Sequence, residues 1–312
     1  MMKKIRDFKE GDRIRDVYLV KEVKNGTTAK GSPYLTVVLQ DNTGMMEGKF
    51  WDVKEEDRQL IQTGRLVNFS FEVLMYNKNL QIRINKALPA DMSQVSMDDY
   101  VIVSQQSEEK RRSDVAGFIS SIHNPVYHQL TQGMIDYVGD LYFTFPAASR
   151  IHHNYMGGLS EHSLSMTQMA EEVCRHYPQL NRDLLISATL IHDVGKTAEM
   201  SGAVTTEYTL EGRLEGHISL ANGWLNEVAA KLHLEDKEET VLLHHMILSH
   251  HGHYEYGSPV LPMLIEAEAL SLIDNLDARM NTLKQALDAV QPGNWTTKLF
   301  ALENRQFYKP KG

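Results

Sequence analysis

The segment "LIHDVGK", residues 190–196, decides how the C-terminal two thirds of the chain is interpreted. The preceding segment, "RDLLISATL", residues 182–190, is apolar almost all round and predicts a buried helix. Gly195 is typical of a left-handed helix end, so Asp193 is expected in the last turn of that helix. The helix dipole disfavours an anion there, and burial adds a desolvation cost. A carboxylate at this position therefore needs a cationic partner.

Composition indicates an ordinary globular protein. The 312 residues are 42% hydrophobic and 23% charged, and the length is sufficient for two domains. No run approaches the roughly 18 apolar residues of a membrane span, so no membrane partner is expected. The N-terminal lysines precede no apolar stretch, which argues against a signal peptide and favours a cytoplasmic location. The single Cys174 excludes an internal disulfide and a thiolate metal cage.

Charge and histidine are unevenly distributed along the chain. Residues 1–90 contain 16 Lys/Arg and 12 Asp/Glu, a balance of +4, whereas the remainder contains 16 and 29, a balance of −13. All 14 histidines lie from His123 onward. Two regions with different roles are implied, and the positive balance of the first favours a polyanionic partner.

The first region, residues 1–90, has the pattern of a small barrel. Three β-rich runs are separated by Asn-Gly, Gly-Ser-Pro and Asp-Asn-Thr-Gly turn signals, and a short helix ending at Gly64 precedes two further strands. This order predicts an OB-fold barrel, a fold that commonly binds single-stranded nucleic acid. Residues 91–113 are polar and predict a linker.

Aromatic side chains that stack on bases and cations that contact phosphates are the groups expected to bind a single strand. The alternative is that the aromatic residues belong to the barrel core and the cations to a solvated face. The candidates are Tyr34, Lys49, Trp51, Tyr76 and Arg83.

The second region, residues 114–312, predicts an all-α helical bundle. Four of its helices place a histidine or an aspartate on an apolar stripe, at offsets of three and four residues that direct the polar group to the core. A lone histidine of this kind is usually a hydrogen-bonded core residue, but several in one bundle, together with His192-Asp193, predict a metal site. A divalent cation would also offset the penalties on Asp193. The four stripe residues are His162, His217, His250 and Asp274.

The order of these residues resembles the signature of the HD-domain metal-dependent phosphohydrolases, including the members with two metals. The resemblance implies a first metal held by His162, His192, Asp193 and Asp274, and a second held by Asp193, His217 and His250. The sequence "SHHG" leaves open whether His250 or His251 is the ligand.

Two further segments resemble the same family. "HHNYMGGLSEHS", residues 152–163, is similar to the segment before the first ligand, and His152 or His153 is a candidate for contacting a phosphate. The alternative is a turn with solvated histidines. Lys196 follows the metal pair as in "HDxGK" forms of the family, which implies that it holds a phosphate oxygen or supports Asp193. The alternative is a favourable charge at a helix end.

A barrel followed by an HD domain, over nearly all 312 residues, is similar to the YhaM family of bacterial 3′→5′ exoribonucleases. That resemblance implies hydrolysis of single-stranded RNA to nucleoside 5′-monophosphates, with activation by manganese or cobalt. The residues themselves suit Mn, Co, Fe or Zn, because imidazole and carboxylate are present without thiolate. Two such ions would share a water and direct it at phosphorus. Single-stranded DNA stays open as a substrate, because no residue is assigned to a 2′-hydroxyl.

Other functions fit parts of the pattern. An HD enzyme acting on a small nucleotide or cyclic dinucleotide would use the same chemistry but leave the barrel without a role. A nucleic-acid-binding regulator would have a structural or inactive metal site, and an endonuclease would differ in its product lengths. The segment "NWTTKLFALENRQFY", residues 294–308, predicts apolar helix faces that serve either a homo-oligomer interface or docking onto the chain's own core.

Overall fold

The computed structural model describes residues 2–28, 31–76, 79–92, 95, 99–104, 106–148, 155–202 and 207–312. These residues form two compact units, one ending at Val103 and the other beginning at Ser104. Within the described residues, no helix is both long enough and apolar enough to span a membrane.

The first unit is a closed five-stranded barrel, as the sequence predicts. The strands pair in the order β1-β2-β3-β5-β4, and β4 pairs in turn with β1. All pairs are antiparallel except β3 with β5. The elements are β1 (Arg13–Thr27), β2 (Pro33–Asp41), β3 (Gly44–Trp51), α1 (Glu55–Leu60), β4 (Leu66–Tyr76) and β5 (Asn79–Pro89).

The strands of the barrel alternate between buried and exposed side chains. In β4, Val67, Phe69, Phe71 and Val73 are buried while the residues between them are partly exposed. One face of each strand therefore forms the core, and the other carries the residues available to a ligand.

The boundary between the units differs from the predicted linker over 91–113. Tyr100 and Val101 are buried, and the Tyr100 carbonyl accepts a hydrogen bond of 3.0 Å from Gln40 Nε2, so this segment belongs to the barrel. The second unit begins with α2 (Glu108–Ser120), whose cap residue Ser107 accepts from the Lys110 amide. Its charged first turn has the composition of a linker but forms a capped helix.

The second unit is helical, as predicted. A central helix, α6, packs against α3, α5, α10 and α11. The helices are α3 (Pro125–Val138), α4 (Leu141–Thr144), α5 (Gly158–His176), α6 (Arg182–Ile191), α7 (Lys196–Glu199), α8 (Leu210–Leu214), α9 (Gly216–Leu232), α10 (Glu238–Ser249) and α11 (Ile265–Asp288).

Helix α6 is the most deeply buried element of this unit. All residues from Leu184 to Ile191 are buried, as expected of a helix that is apolar around its circumference. Its start is set by Asn181, whose side chain accepts from the Leu184 amide at 3.2 Å. The residues that follow its C-terminus are consequently delivered to the centre of the bundle.

Residues 294–308, where apolar helix faces were predicted, contain only a short 3-10 helix at Phe300–Leu302 and no α-helix. This segment forms a hairpin-like turn, with isolated bridges between Trp295 and Tyr308 and between Leu299 and Arg305. Glu303 and Asn304 make the turn with positive φ angles of 54° and 56°. The apolar residues of the segment favoured a helical face, but α11 ends at Asp288, and Pro292-Gly293 stands between that helix and this segment.

Candidate metal centre

Five elements bring their polar residues to one place at the centre of the helical unit. His162 lies on α5, His192 and Asp193 directly follow α6, and His217 lies in the first turn of α9. His250 directly follows α10, and Asp274 lies on α11. The structure thus brings together all six residues that the sequence places at a metal site, although His162 and Asp274 are 112 positions apart in the chain.

One carboxylate oxygen of Asp193 faces the first group of ligands. Asp193 Oδ2 lies 3.4 Å from His192 Nε2 and 3.7 Å from His162 Nε2. His162 Nε2 is in turn 3.2 Å from Asp274 Oδ1. Lys196 Nζ also donates to Asp193 Oδ2 at 2.6 Å, so Lys196 contacts the aspartate that the sequence suggested it supports.

The other oxygen of Asp193 faces a second group. Asp193 Oδ1 lies 3.5 Å from His217 Nε2 and 3.6 Å from His250 Nε2. Each oxygen of the buried Asp193 carboxylate therefore lies within 4 Å of a different pair of imidazoles. This is the arrangement expected of an aspartate that bridges two cations.

Several donor atoms at this centre have unmet hydrogen-bonding capacity. Among the described residues, the buried Nε2 atoms of His192, His217 and His250 and the Oδ1 atom of Asp193 have no hydrogen-bond partner. Buried polar atoms are normally paired, so a cluster of exceptions calls for a reason. Donor atoms about 2.1 Å from one cation lie roughly 3 to 3.5 Å apart, close to the observed separations. The residues fit divalent cations.

The outer nitrogen of each imidazole is held by a defined acceptor. His192 Nδ1 donates to the Thr189 carbonyl at 3.1 Å, and His250 Nδ1 donates to the Ile247 carbonyl at 2.7 Å. Because an imidazole that donates through Nδ1 keeps its lone pair on Nε2, these contacts direct a ligand atom toward Asp193.

Carboxylates take the same role for the other two histidines. His162 Nδ1 is 2.7 Å from Asp277 Oδ2, and His217 Nδ1 is 2.9 Å from Glu199 Oε1. Neither acidic residue is among the site residues predicted from the sequence. The sequence contains a pattern that could have indicated Asp277, because this residue lies one turn after Asp274 on the stripe of α11 that is buried. No sequence pattern indicates Glu199 beyond its position three residues after Lys196.

The charges around Asp193 hold it ionised. Burial alone would raise the pKa of this carboxyl, but the positive charge of Lys196 and the neighbouring His192 outweigh burial and hold the pKa well below its usual range. Burial correspondingly disfavours the Lys196 ammonium, whereas Asp193 raises its pKa above the ordinary value. An ionised Asp193 has lone pairs on both oxygens and can accept two cations.

Proton binding and cation binding compete at His162. Burial lowers the pKa of this imidazole, but hydrogen bonds to Asp274 and Asp277 outweigh burial and raise it to about 9. The same contact with His162 holds the pKa of Asp274 below its usual range against the effect of burial. A divalent cation held by His162 Nε2 would have to displace that proton.

Gly195 serves the centre in a different way from the one predicted. Its φ of −61° is right-handed, so it does not form a left-handed helix end. A side chain is excluded instead by packing, because a Cβ on Gly195 would lie 2.1 Å from the carbonyl oxygen of His217. The close approach of these two backbones places His217 beside Asp193.

His250 and His251 both lie at the centre. The ring centroids of the two residues are 4.3 Å apart, and ligand atoms of both fall in one potential metal-binding group with Asp193 and His217. His251 Nδ1 donates to the Tyr256 carbonyl at 2.6 Å, and burial lowers its pKa to about 4. His251 is therefore a neutral imidazole beside the second group. His152 and His153 lie outside the described residues.

The barrel carries most of the candidate nucleic-acid-binding residues on one outer surface. Tyr34 on β2 pairs in register with Trp51 on β3, with ring centroids 4.9 Å apart. Lys49 Nζ lies 5.7 Å from the centroid of the Tyr34 ring, and Lys49 pairs with Arg83 across β3 and β5. Tyr76, at the end of β4, lies four residue pairs along the β4–β5 ladder from Arg83 and is separate from this group.

Known proteins are similar to this chain over one unit or over nearly its whole length. Residues 159–279 match the HD domain family. The chain is 39% identical over 312 residues to the 3′-5′ exoribonuclease YhaM of Geobacillus sp. (strain WCH70), covering 99% of this chain and 96% of that protein. The second OB-fold domain of replication protein A from Methanococcus maripaludis is 19% identical, with a TM-score of 0.25, over 30% of this chain and all of that domain.

Proposed function

The chain belongs to the family of the 3′-5′ exoribonuclease YhaM, and from this we infer that it is a metal-dependent hydrolase that removes nucleotides from the 3′ end of RNA. The match extends over both units, so a function that leaves the barrel without a role is not favoured. The cytoplasmic location and a homo-oligomeric state stay predictions.

The observation that supports the catalytic assignment is the division of ligands around Asp193. Two groups of imidazoles on the two oxygens of one carboxylate are suited to two divalent cations, with His162, His192, Asp193 and Asp274 on one and Asp193, His217 and His250 on the other. Imidazole and carboxylate ligands without thiolate fit manganese, and also cobalt, iron or zinc. When bound, such cations supply a water of lowered pKa and neutralise charge on the phosphoryl group.

The protein's own residues prepare the reaction at this centre. Lys196 and the surrounding imidazoles keep Asp193 ionised, and the Nδ1 contacts keep the Nε2 lone pairs directed inward. The Lys196 ammonium, although mostly buried, is in position to attract a phosphoryl oxygen beside Asp193. In the hydrolysis, a water oxygen bonds to phosphorus and the bond to the preceding 3′-oxygen breaks, with a proton passing to that oxygen. The product is a nucleoside 5′-monophosphate.

We propose single-stranded RNA as the substrate that the barrel holds. The stacked rings of Tyr34 and Trp51 offer an aromatic surface to bases, and Lys49 and Arg83 on adjacent strands offer cations to phosphates. Arg83 also pairs with Glu72 at 2.6 Å, which reduces its free charge. Aromatic stacking tolerates any base, as an enzyme that shortens a strand stepwise requires.

The test is a time course with the full chain, excess Mn²⁺ and a short 5′-labelled single-stranded RNA. Stepwise shortening from the 3′ end is expected, and it should be absent when Asp193 is replaced. A full-length RNA after incubation, or a single internal cut, would contradict the proposal. A parallel reaction with single-stranded DNA determines whether the sugar is distinguished.

A further inference from the structure

Two buried or partly buried carboxylates outside the ligand set each contact one ligand histidine. Asp277 Oδ2 accepts from His162 Nδ1 at 2.7 Å, and Glu199 Oε1 accepts from His217 Nδ1 at 2.9 Å. The remaining ligand histidines, His192 and His250, donate to backbone carbonyls instead. Each group around Asp193 thus contains one imidazole with a backbone partner and one with a carboxylate partner.

Asp277 contacts His162 through one carboxylate oxygen and a second residue of α5 through the other. Its second oxygen, Oδ1, accepts from Ser165 Oγ at 2.5 Å, and Ser165 lies one turn after His162 on α5. Asp277 is buried on α11 and therefore joins the two helices that carry the ligands of the first group. Rotation of the His162 ring would break this contact.

Glu199 holds His217 by two contacts. Its Oε1 atom accepts from the His217 backbone amide at 3.1 Å as well as from the ring. Burial alone would raise the pKa of Glu199, but the contacts with His217 outweigh burial and lower it. Glu199 also ends α7, which begins at Lys196, so the helix that supplies the ammonium beside Asp193 also orients a ligand of the second group.

We propose that Asp277 and Glu199 are positioning residues, each of which governs a different cation. Asp277 acts through His162 on the cation at Asp193 Oδ2, and Glu199 acts through His217 on the cation at Asp193 Oδ1. A carboxylate that accepts from Nδ1 fixes the tautomer, restricts ring rotation and makes Nε2 a stronger ligand. This inference rests on the two-cation centre proposed above and adds the residues that tune each half of it.

The experiment measures Mn²⁺ affinity in the full chain by titration calorimetry. His217→Ala removes a ligand of the second group and leaves the first to be measured, whereas His162→Ala leaves the second. Glu199→Gln is expected to weaken Mn²⁺ binding about 10- to 100-fold in the His162→Ala background and to change nothing in the His217→Ala background. Asp277→Asn is expected to show the reverse pattern.

Three controls separate positioning from folding. Glu238→Gln, an exposed change on α10, should leave Mn²⁺ affinity unaltered. Circular dichroism of the metal-free variants should match that of the wild-type protein, because both substitutions keep the size of the side chain and the fold. Glu199→Asp, which keeps the negative charge, should recover part of the affinity that Glu199→Gln loses.

The outcomes distinguish this inference from the proposal it rests on. Wild-type protein that binds a single Mn²⁺ per chain overturns the two-cation centre and the pairing with it. Two bound ions in the wild-type protein, with affinities that Glu199→Gln and Asp277→Asn leave unchanged, overturn the positioning role alone. A loss of equal size in both backgrounds shows that the carboxylates support the fold generally and not one cation each, which also overturns it.

Discussion

The barrel and the helical unit present their functional groups in opposite ways. In the barrel, Trp51 and Tyr76 are exposed, and the cations Lys49 and Arg83 lie on the outer surface of the strands. In the helical unit, four of the six candidate ligands are buried and two, His217 and Asp274, are partly buried. Polar atoms of His192 and Asp193 lack hydrogen-bond partners among the described residues. An exposed surface can lose one contact and still bind a strand, whereas a buried group of ligands depends on every member.

The largest effect is expected at the buried centre. Asp193→Asn removes the negative charge shared by both groups of ligands, and we expect the rate of RNA hydrolysis to fall about 10³-fold or more. Activity on labelled RNA measures this, with circular dichroism to verify folding. Asp288→Asn, at the exposed end of α11, is the matched control and should retain wild-type activity. Comparable activity in both variants would refute the assignment of the centre.

Packing around the centre gives the second prediction. Gly195→Ala places a Cβ 2.1 Å from the His217 carbonyl oxygen, and we expect the free energy of unfolding to fall by about 1–3 kcal/mol. Gly223→Ala on α9 meets no atom within 4 Å and should raise stability by about 0.5–1 kcal/mol. Chemical denaturation of both variants measures the difference. Equal stability changes would show that the close approach of the two backbones is not required.

The exposed surface of the barrel should respond less. Trp51→Ala removes one ring of the stacked pair, and we expect RNA binding to weaken by about 1–3 kcal/mol. Hydrolysis of a small phosphodiester that cannot reach the barrel should be unchanged. Met45→Ala is the control, because both side chains are 44% exposed and only one is aromatic. Equal losses of RNA affinity in the two variants would exclude stacking as the cause.

The smallest effect is expected from a single cation. Lys49→Ala removes one candidate phosphate contact, and the slope of log affinity against log salt concentration should become shallower by about 0.7. Lys49 also pairs with Glu47 at 3.1 Å, so the loss of affinity at any one salt concentration should be slight. Fluorescence anisotropy across a salt series measures the slope. An unchanged slope would remove Lys49 from the RNA-binding surface.

Periodicity in the sequence was sufficient to predict the architecture and the candidate ligands. The three-strand, helix, two-strand order predicted the barrel, and the strand pairing confirms it. Histidines on apolar helical stripes predicted inward-facing ligands, because a stripe at offsets of three and four faces the core wherever the helix packs. The structure places His217 and His250 in one group of potential ligands with Asp193, and His162 in another group that shares Asp193, as this reasoning requires.

The partners of the ligands could not be predicted in the same way. Glu199 meets His217 only because α7 and α9 approach closely at Gly195, and no local pattern encodes a contact between separate helices. The same limit applies to two segments in which composition conflicted with packing or with chain-breaking residues. The predicted linker contains the unit boundary but is longer than the structure shows, and residues 294–308 form a turn with only a short 3-10 helix.

Local patterns in the amino-acid sequence therefore established the two folds, the identity of the candidate ligands and their direction toward a core. Long-range packing established which oxygen of Asp193 faces which imidazoles, which carboxylates hold His162 and His217, and why residue 195 has no side chain. The physical reason is the range of the interactions. Helix and strand periodicity acts over a few residues, whereas these contacts join groups up to 115 positions apart, such as His162 and Asp277, through the packing of whole helices.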